Sequence, residues 1–420
     1  MTMHVKLHSR VVSSITNIIW AAPAIIMSLL FFQLFIVNSS DNWEQKYSIF
    51  SVPAFNYPGA DARNIQLMAF CTSPKVAEQT TEDCYEKAAP IKFTHKEASV
   101  PPYNYPNVWF YIYRYFNDFS EEFFMSFWKL NASAICLTVL ILALRTKPSY
   151  FTLTAFSPVM LLTVERGNIE AFTFTLMYAP ILIFPKLIKI SSIFIILGAL
   201  AKIFPIVALP ALFIHKLRKQ LKFLKSTLLL AIPFLIITLS NLSQTVEHTT
   251  KGFLASYGLL SLLNAPYFQN HHGTAYVLLA VFLLTATLYT AKAEKYNIYQ
   301  NALIEIKESS TTQIYLFYTS ILVFGITFLM FTNWSYRLIF LFPALFVLSN
   351  YKSFTVKIMI GLMLSILWLP ITPYGWASQN ILCYVLFVFL CPIYLDLCRQ
   401  LNPLSYAFRR SIFTASRQKK

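Results

Sequence analysis

Four small groups of ionisable residues lie within or beside long apolar stretches of this 420-residue chain. They are Asp61 with Arg63, Glu165-Arg166-Gly167-Asn168-Ile169-Glu170, Lys202-Ile203-Phe204-Pro205, and Asn333-Trp334-Ser335-Tyr336-Arg337. Charged residues near a bilayer are costly to bury, so they are candidates for function by default. A carboxylate that faces several cations in one cavity suits a phosphate-bearing ligand and a general base.

Each group also has a structural interpretation that involves no chemistry. Asp61 would cap the N-terminus of a helix in an exposed loop. Glu165 and Arg166 would close a helix turn as an ion pair. Lys202 would extend its ammonium group to the membrane surface, and Arg337 would anchor the outer end of a helix.

The composition defines the kind of protein that must position these residues. Hydrophobic residues make up 56% of the chain and charged residues only 12%, whereas a soluble domain carries roughly 25% charged residues. This excludes a soluble enzyme and predicts an all-α polytopic membrane protein with about 12 membrane helices, some short or broken. The apolar runs lie near residues 11–37, 124–144, 149–164, 171–185, 190–201, 203–214, 226–242, 274–291, 313–331, 336–349, 355–371 and 380–397. Pro205 and the short runs around it favour a helix that is broken at Lys202 and lines a cavity.

The distribution of charge predicts the orientation of these helices. If every run crosses the membrane, one set of connecting segments holds most of the 34 basic residues but only four acidic ones, which are Glu294, Glu305, Glu308 and Asp396. Basic residues concentrate on the cytoplasmic side, so both termini are predicted to be cytoplasmic, N-in and C-in. All four ionisable groups then face the periplasm or exterior of a plasma or inner membrane. The net charge of +16 therefore requires no nucleic-acid partner.

The chain is predicted to form one integral membrane domain over residues 1–420, with a basic cytoplasmic tail at 398–420. Its first apolar run is longer than a signal-peptide core and is expected to remain as the first helix. The long first extracytoplasmic loop, 38–107, holds Cys71 and Cys84, which are expected to form a disulfide, with two free thiols as the alternative. Interfacial helices are predicted within this loop at 61–70 and directly after it at 108–116. Neither a phosphate-binding glycine loop nor a cysteine metal motif is present in the sequence, so no cofactor or metal is predicted.

The candidate residues belong to five short motifs that follow one another in a fixed order. These are Asp61; Tyr103-Asn104-Tyr105-Pro106; Ser157-Pro158-Val159-Met160-Leu161-Leu162 with Glu165-Arg166-Gly167-Asn168; Lys202-Ile203-Phe204-Pro205; and Tyr336-Arg337-Leu338-Ile339-Phe340-Leu341-Phe342-Pro343. In this order they resemble glycosyltransferase family 87 of the GT-C superfamily, which includes polyprenyl-phosphate-mannose-dependent mannosyltransferases. Two positions depart from the family pattern: Asn107 stands where a proline is usual, and Glu170 stands where the family often has Asp.

The resemblance implies a GT-C-like fold and an inverting transfer of one sugar, mannose or arabinofuranose, from a polyprenyl-monophosphate donor. The acceptor would be a hydroxyl of a glycolipid, a polysaccharide or a secreted protein such as a pilin. Asp61 would act as the general base on that hydroxyl. Lys202, Arg166 and Arg337 would bind the donor phosphate, with Arg63 as a further candidate. Glu165 and Asn168 would contact the sugar or orient Arg166. Tyr103 and Tyr105 would line the acceptor entrance.

Three alternatives to this function remain open. A polymerase or ligase would differ by using a diphosphate-linked oligosaccharide as donor. A polyprenyl-lipid transporter or flippase would place ionisable residues in both halves of the chain and show repeats, and no internal repeat is apparent in the sequence. A structural or assembly subunit would neither bind nor consume a lipid-linked sugar.

Overall fold

A computed structural model describes residues 121–144, 148–166, 169–214, 256–261, 272–330, 333–369 and 375–401, together with positions 217, 229 and 232. Helices dominate these residues. The α-helices are α1 Glu121–Leu144, α2 Pro148–Ala155, α3 Pro158–Arg166, α4 Ile169–Ile183, α5 Ser191–Ala201, α6 His272–Lys295, α7 Gln300–Glu308, α8 Thr311–Met330, α9 Phe342–Leu348, α10 Phe354–Trp368 and α11 Gly375–Leu401. The described residues also include four 3₁₀ helices: Pro185–Ile190, Phe204–Phe213, Leu259–Ser261 and Ser335–Leu341. Two short strands, β1 Ser256–Tyr257 and β2 Asn333–Trp334, form an antiparallel ladder.

Among the described residues, three helices are long and apolar enough to cross a membrane. Their spans are Tyr276–Lys295 in α6, Thr311–Leu329 in α8 and Ala377–Leu401 in α11. Within the protein, 72% of the apolar window of α8 is buried but only 11% of that of α6. An apolar helix that exposes most of its surface is suited to lipid, so these helices indicate a membrane protein, as predicted. The twelve-helix count and the N-in/C-in orientation stay predictions.

The apolar run at 149–164 forms two short helices rather than one. α2 ends at Ala155, and α3 begins at Pro158. Between them, the Ser157 hydroxyl donates to the Thr154 carbonyl at 2.8 Å and accepts from the Met160 backbone N–H at 3.4 Å. Serine before a first-turn proline is a favourable helix start, because the side chain satisfies an N–H that has no helical partner. Local sequence therefore restarts the helix that ends in Glu165 and Arg166.

The predicted break at Lys202 is confirmed. α5 ends at Ala201, Lys202 has an extended backbone with φ −154° and ψ 129°, and a 3₁₀ helix starts at Phe204 with Pro205 in its first turn. The two short helices pack against each other, and a Cβ placed on Gly198 would lie 3.5 Å from Cβ of Pro205. They also pack on α4 and α8, respectively. The chain thus presents Lys202 at the junction between two packed helices.

Aromatic rings fill the space between α4, the 3₁₀ helix Phe204–Phe213 and the 3₁₀ helix Ser335–Leu341. The Phe340 ring meets Phe174 at 5.5 Å between centroids and Phe204 at 5.1 Å, with interplanar angles of 73° and 86°. Edge-to-face pairs of this kind stabilise a core beyond the area that they bury. The packing holds the first turn of one 3₁₀ helix beside the other, which is where the candidate site lies.

Candidate functional site

Lys202 and Arg337, predicted from separate motifs, meet at one carboxylate. Glu170 accepts a hydrogen bond on Oε1 from Nε of Arg337 at 2.8 Å. Nζ of Lys202 lies 3.8 Å from the same oxygen. The side chains of Glu170, Lys202 and Arg337 are only 0%, 8% and 12% exposed, respectively. We call these three residues the Glu170 cluster.

The position of Glu170 on its helix suits an acidic residue. Glu170 lies in the first turn of α4, where the N–H groups and the helix dipole stabilise negative charge. Charges this deeply buried are tolerated only when they are paired and hydrogen-bonded. The cluster combines one carboxylate with two basic side chains. Basic side chains that are buried and held in place are suited to binding an anion.

Phe204 holds the other side of the arginine. Cζ of Arg337 lies 5.5 Å from the centroid of the Phe204 ring, within the range of a cation–π contact. Phe204 follows Lys202 by two residues, so the same turn carries one cation and supports the other. The guanidinium group is therefore oriented both by a carboxylate and by an aromatic face.

The β ladder positions the segment that leads to Arg337. Tyr257 pairs with Asn333 and Ser256 pairs with Trp334, in antiparallel register. The 3₁₀ helix that carries Arg337 starts at the next residue, Ser335. The Tyr257 hydroxyl bonds Thr327 Oγ1 of α8 at 2.9 Å, and burial raises the pKa of this hydroxyl above its ordinary value. Tyr257 therefore stays protonated and ties the ladder to α8.

A buried polar network fixes the residues directly after β1. The Gly258 N–H donates to Oδ1 of Asn380 at 3.3 Å, and the Asn380 amide donates to the Ser261 hydroxyl. Tyr384 donates to the Leu259 carbonyl at 2.7 Å. Gly258 has φ 129°, a conformation that favours glycine. Through these bonds α11 holds β1 in place, and β1 in turn holds β2 next to Arg337.

The helix that ends in Glu165 and Arg166 lies against the 3₁₀ helix that carries Arg337. α3 packs on Ser335–Leu341. Nε1 of the buried Trp128 donates to the Val164 carbonyl at 2.8 Å, which satisfies an acceptor in the last turn of α3. The backbone of Glu165 and Arg166 is thus anchored near the cluster. The positions of these two side chains are not described, so their roles stay predictions.

The remaining predicted site residues lie outside the described residues. They are Asp61, Arg63, Cys71, Cys84, Tyr103, Tyr105 and Asn168, and the predicted interfacial helices at 61–70 and 108–116 lie there as well. The assignments of the general base, the disulfide and the acceptor entrance therefore stay predictions. Among the cysteines that the structure describes, Cys383 is buried, Cys136 and Cys391 are half-buried, and Cys398 is exposed.

Sequence reasoning placed Glu170 and Phe204 within candidate groups but gave neither a specific role, and it did not identify Tyr257. The sequence around Glu170 could have indicated a role, because this acidic residue stands immediately before an apolar run and three residues after Gly167. The indication for Phe204 was weaker and came only from its place in the turn after Lys202. No sequence feature indicated Tyr257, because two-residue strands show no periodicity and their pairing joins distant parts of the chain.

Within the described ranges, no three His, Cys, Asp or Glu side chains are grouped as metal ligands. No protein-family model matches this chain, and no curated protein or solved structure does so either. The family resemblance of the five motifs and the function that it implies therefore stay a proposal.

Proposed function

We propose that this protein is a membrane glycosyltransferase that transfers one sugar from a polyprenyl-monophosphate donor to an extracytoplasmic hydroxyl, with inversion. One observation carries the proposal. Lys202 and Arg337, which the sequence marks as candidate phosphate ligands in two separate motifs, converge on the buried Glu170 carboxylate. A phosphate that leaves a sugar gains negative charge in the transition state, and preorganised cations stabilise that charge.

The membrane setting supports a lipid-linked donor. The cluster lies among short broken helices that pack beside α8, which is one of the helices long enough to cross a bilayer. A donor with a polyprenyl chain would keep that chain in lipid and present its phosphate to Lys202 and Arg337. Mannose and arabinofuranose are the proposed sugars, and a glycolipid, polysaccharide or secreted protein such as a pilin is the proposed acceptor.

Asp61 is the proposed general base. It would accept the proton of the acceptor hydroxyl as the hydroxyl oxygen attacks the anomeric carbon. Attack from the face opposite the phosphate inverts the anomeric configuration. Glu165, Arg166, Arg63 and Asn168 would complete the donor site, and Tyr103 and Tyr105 would line the acceptor entrance. In the proposed N-in/C-in topology with about 12 helices, this chemistry occurs on the periplasmic or exterior side.

The experiment is a transfer assay with purified full-length protein in lipid. Polyprenyl-monophosphate mannose and polyprenyl-monophosphate arabinofuranose are each incubated with the protein and with envelope extracts as the source of acceptor. We expect the native protein to consume one donor and Asp61→Asn to leave it intact. Consumption by neither protein, with the native protein folded and acceptor present, would contradict the proposal and favour a diphosphate-linked donor or lipid transport.

A further inference from the structure

The proposed reaction changes the charge of the ligand at the Glu170 cluster, and the inference below rests on that proposed function. The donor is a phosphate diester with one negative charge. Transfer breaks the bond between the anomeric carbon and the phosphate oxygen, the electron pair stays on that oxygen, and the acceptor proton moves to the base. The polyprenyl phosphate left behind is a monoester, which carries a charge of about −1.5 to −2 at pH 7.

A site built only of buried cations would retain this product. Lys202 and Arg337 attract a dianion more strongly than a monoanion, and attraction between charges is large where water is excluded. The product would then bind more tightly than the donor and slow each turnover. A carboxylate within the site opposes this effect, because it repels the dianion more than the monoanion.

Glu170 is placed to exert that repulsion. Its Oε1 atom contacts Nε of Arg337 and lies 3.8 Å from Nζ of Lys202. An anion oxygen that accepts a hydrogen bond from Nζ of Lys202 must therefore lie within about 7 Å of this oxygen, given ordinary hydrogen-bond lengths. Glu170 is fully buried, so bulk water screens the repulsion little.

We propose that Glu170 is the residue that releases the product: it lowers the affinity of the site for polyprenyl monoester phosphate more than its affinity for the diester donor. It also holds Arg337 in position. The two roles are separable, because glutamine has the same length and keeps an acceptor oxygen for Arg337 but carries no charge. Glu170→Asp retains the charge and is the matched control.

The test is ligand binding by the full-length protein in bilayers of neutral phosphatidylcholine. The probes are a short-chain polyprenyl monophosphate and its methyl ester, an unreactive diester. We expect Glu170→Gln to bind the monoester about tenfold or more tighter than the native protein, and the diester tighter by a smaller factor. Because Glu170→Asp keeps the charge, its ratio of monoester affinity to diester affinity should stay within about threefold of the native ratio, even if the shorter side chain changes both affinities.

The outcomes of these binding measurements distinguish the product-release role from the proposed function. Equal or weaker monoester binding by a folded Glu170→Gln would overturn the product-release role and leave the proposed function standing. Binding of neither probe by the native protein would overturn both. If Glu170→Gln does not fold, the native protein still supplies a test, because a monoester affinity more than about a hundredfold above the diester affinity would show that no release device operates.

Discussion

Arg337 donates from Nε to Oε1 of Glu170 at 2.8 Å, and this bond joins the 3₁₀ helix Ser335–Leu341 to the first turn of α4. The carboxylate is completely buried, and the arginine side chain is 12% exposed. The contact therefore serves two purposes in one place. It fixes the relative position of two distant segments, and it fixes the arginine that we propose to bind phosphate.

Replacing Arg337 should destabilise the fold as well as the site. Arg337→Leu leaves the Glu170 carboxylate buried next to a more distant lysine, so we expect a loss of about 3 kcal/mol or more in the free energy of unfolding. Thermal unfolding in detergent would measure the loss. The double variant Arg337→Leu/Glu170→Leu should lose less than the sum of the two single variants, since it removes both charges.

Arg399 provides the control for that measurement. It pairs with Glu294, but both side chains are more than 40% exposed, at 45% and 42%. Solvent screens such a pair, so Arg399→Leu should cost at most about 1 kcal/mol. Equal losses in the two arginine variants would contradict the structural importance that we assign to the buried pair.

Replacing Lys202 should weaken donor binding. Lys202→Met keeps an unbranched chain at the break between α5 and the next 3₁₀ helix but removes the ammonium group. The loss of one charged contact to phosphate should raise the dissociation constant of a polyprenyl-phosphate sugar by about tenfold or more. The control is Lys189→Met, at an exposed position before α5. Unchanged donor affinity in Lys202→Met would argue against a phosphate contact.

Replacing Asp61 should remove turnover while preserving donor binding. Asp61→Asn cannot accept the proton of the acceptor, and general-base catalysis contributes about a hundredfold or more. Transfer of labelled sugar reports the rate, and binding of the diester probe reports the donor site. Asp83→Asn, in the same predicted outer loop, should transfer at the native rate. Near-native transfer by Asp61→Asn would require a different base.

Adding a side chain at Gly325 should destabilise the fold. A Cβ at this position in α8 would lie 2.7 Å from Cζ of Tyr394, whose hydroxyl donates to the Ile321 carbonyl at 2.7 Å. We expect Gly325→Ala to cost about 1–3 kcal/mol through overpacking between α8 and α11. Thermal unfolding would again measure it. Gly361→Ala in α10 is the matched control, because among the described residues no atom beyond the local helix backbone lies within 4 Å of the new Cβ, and alanine is the better helix former. A larger loss at Gly361 than at Gly325 would contradict this packing.

By itself, the sequence determined the features that depend on composition and short-range pattern. A charged fraction of 12% with long apolar runs indicated a helical membrane protein, and Pro205 indicated the break that places Lys202 between two short helices. It also identified Lys202 and Arg337 as candidates, because buried charges in apolar surroundings are rare enough to stand out. The division of residues 149–164 at Ser157 and Pro158 was readable in principle from the capping residues.

Only the tertiary structure decided which of these charges meet. Glu170 is joined to Arg337 by a bond across 167 residues, and no local pattern predicts such a pair. The same holds for the pairing of Tyr257 with Asn333 and for the approach of Phe204 to Arg337. Helix breaks follow from interactions within a few residues, whereas partners across the bundle depend on how whole helices pack, and packing is set by all of their side chains together.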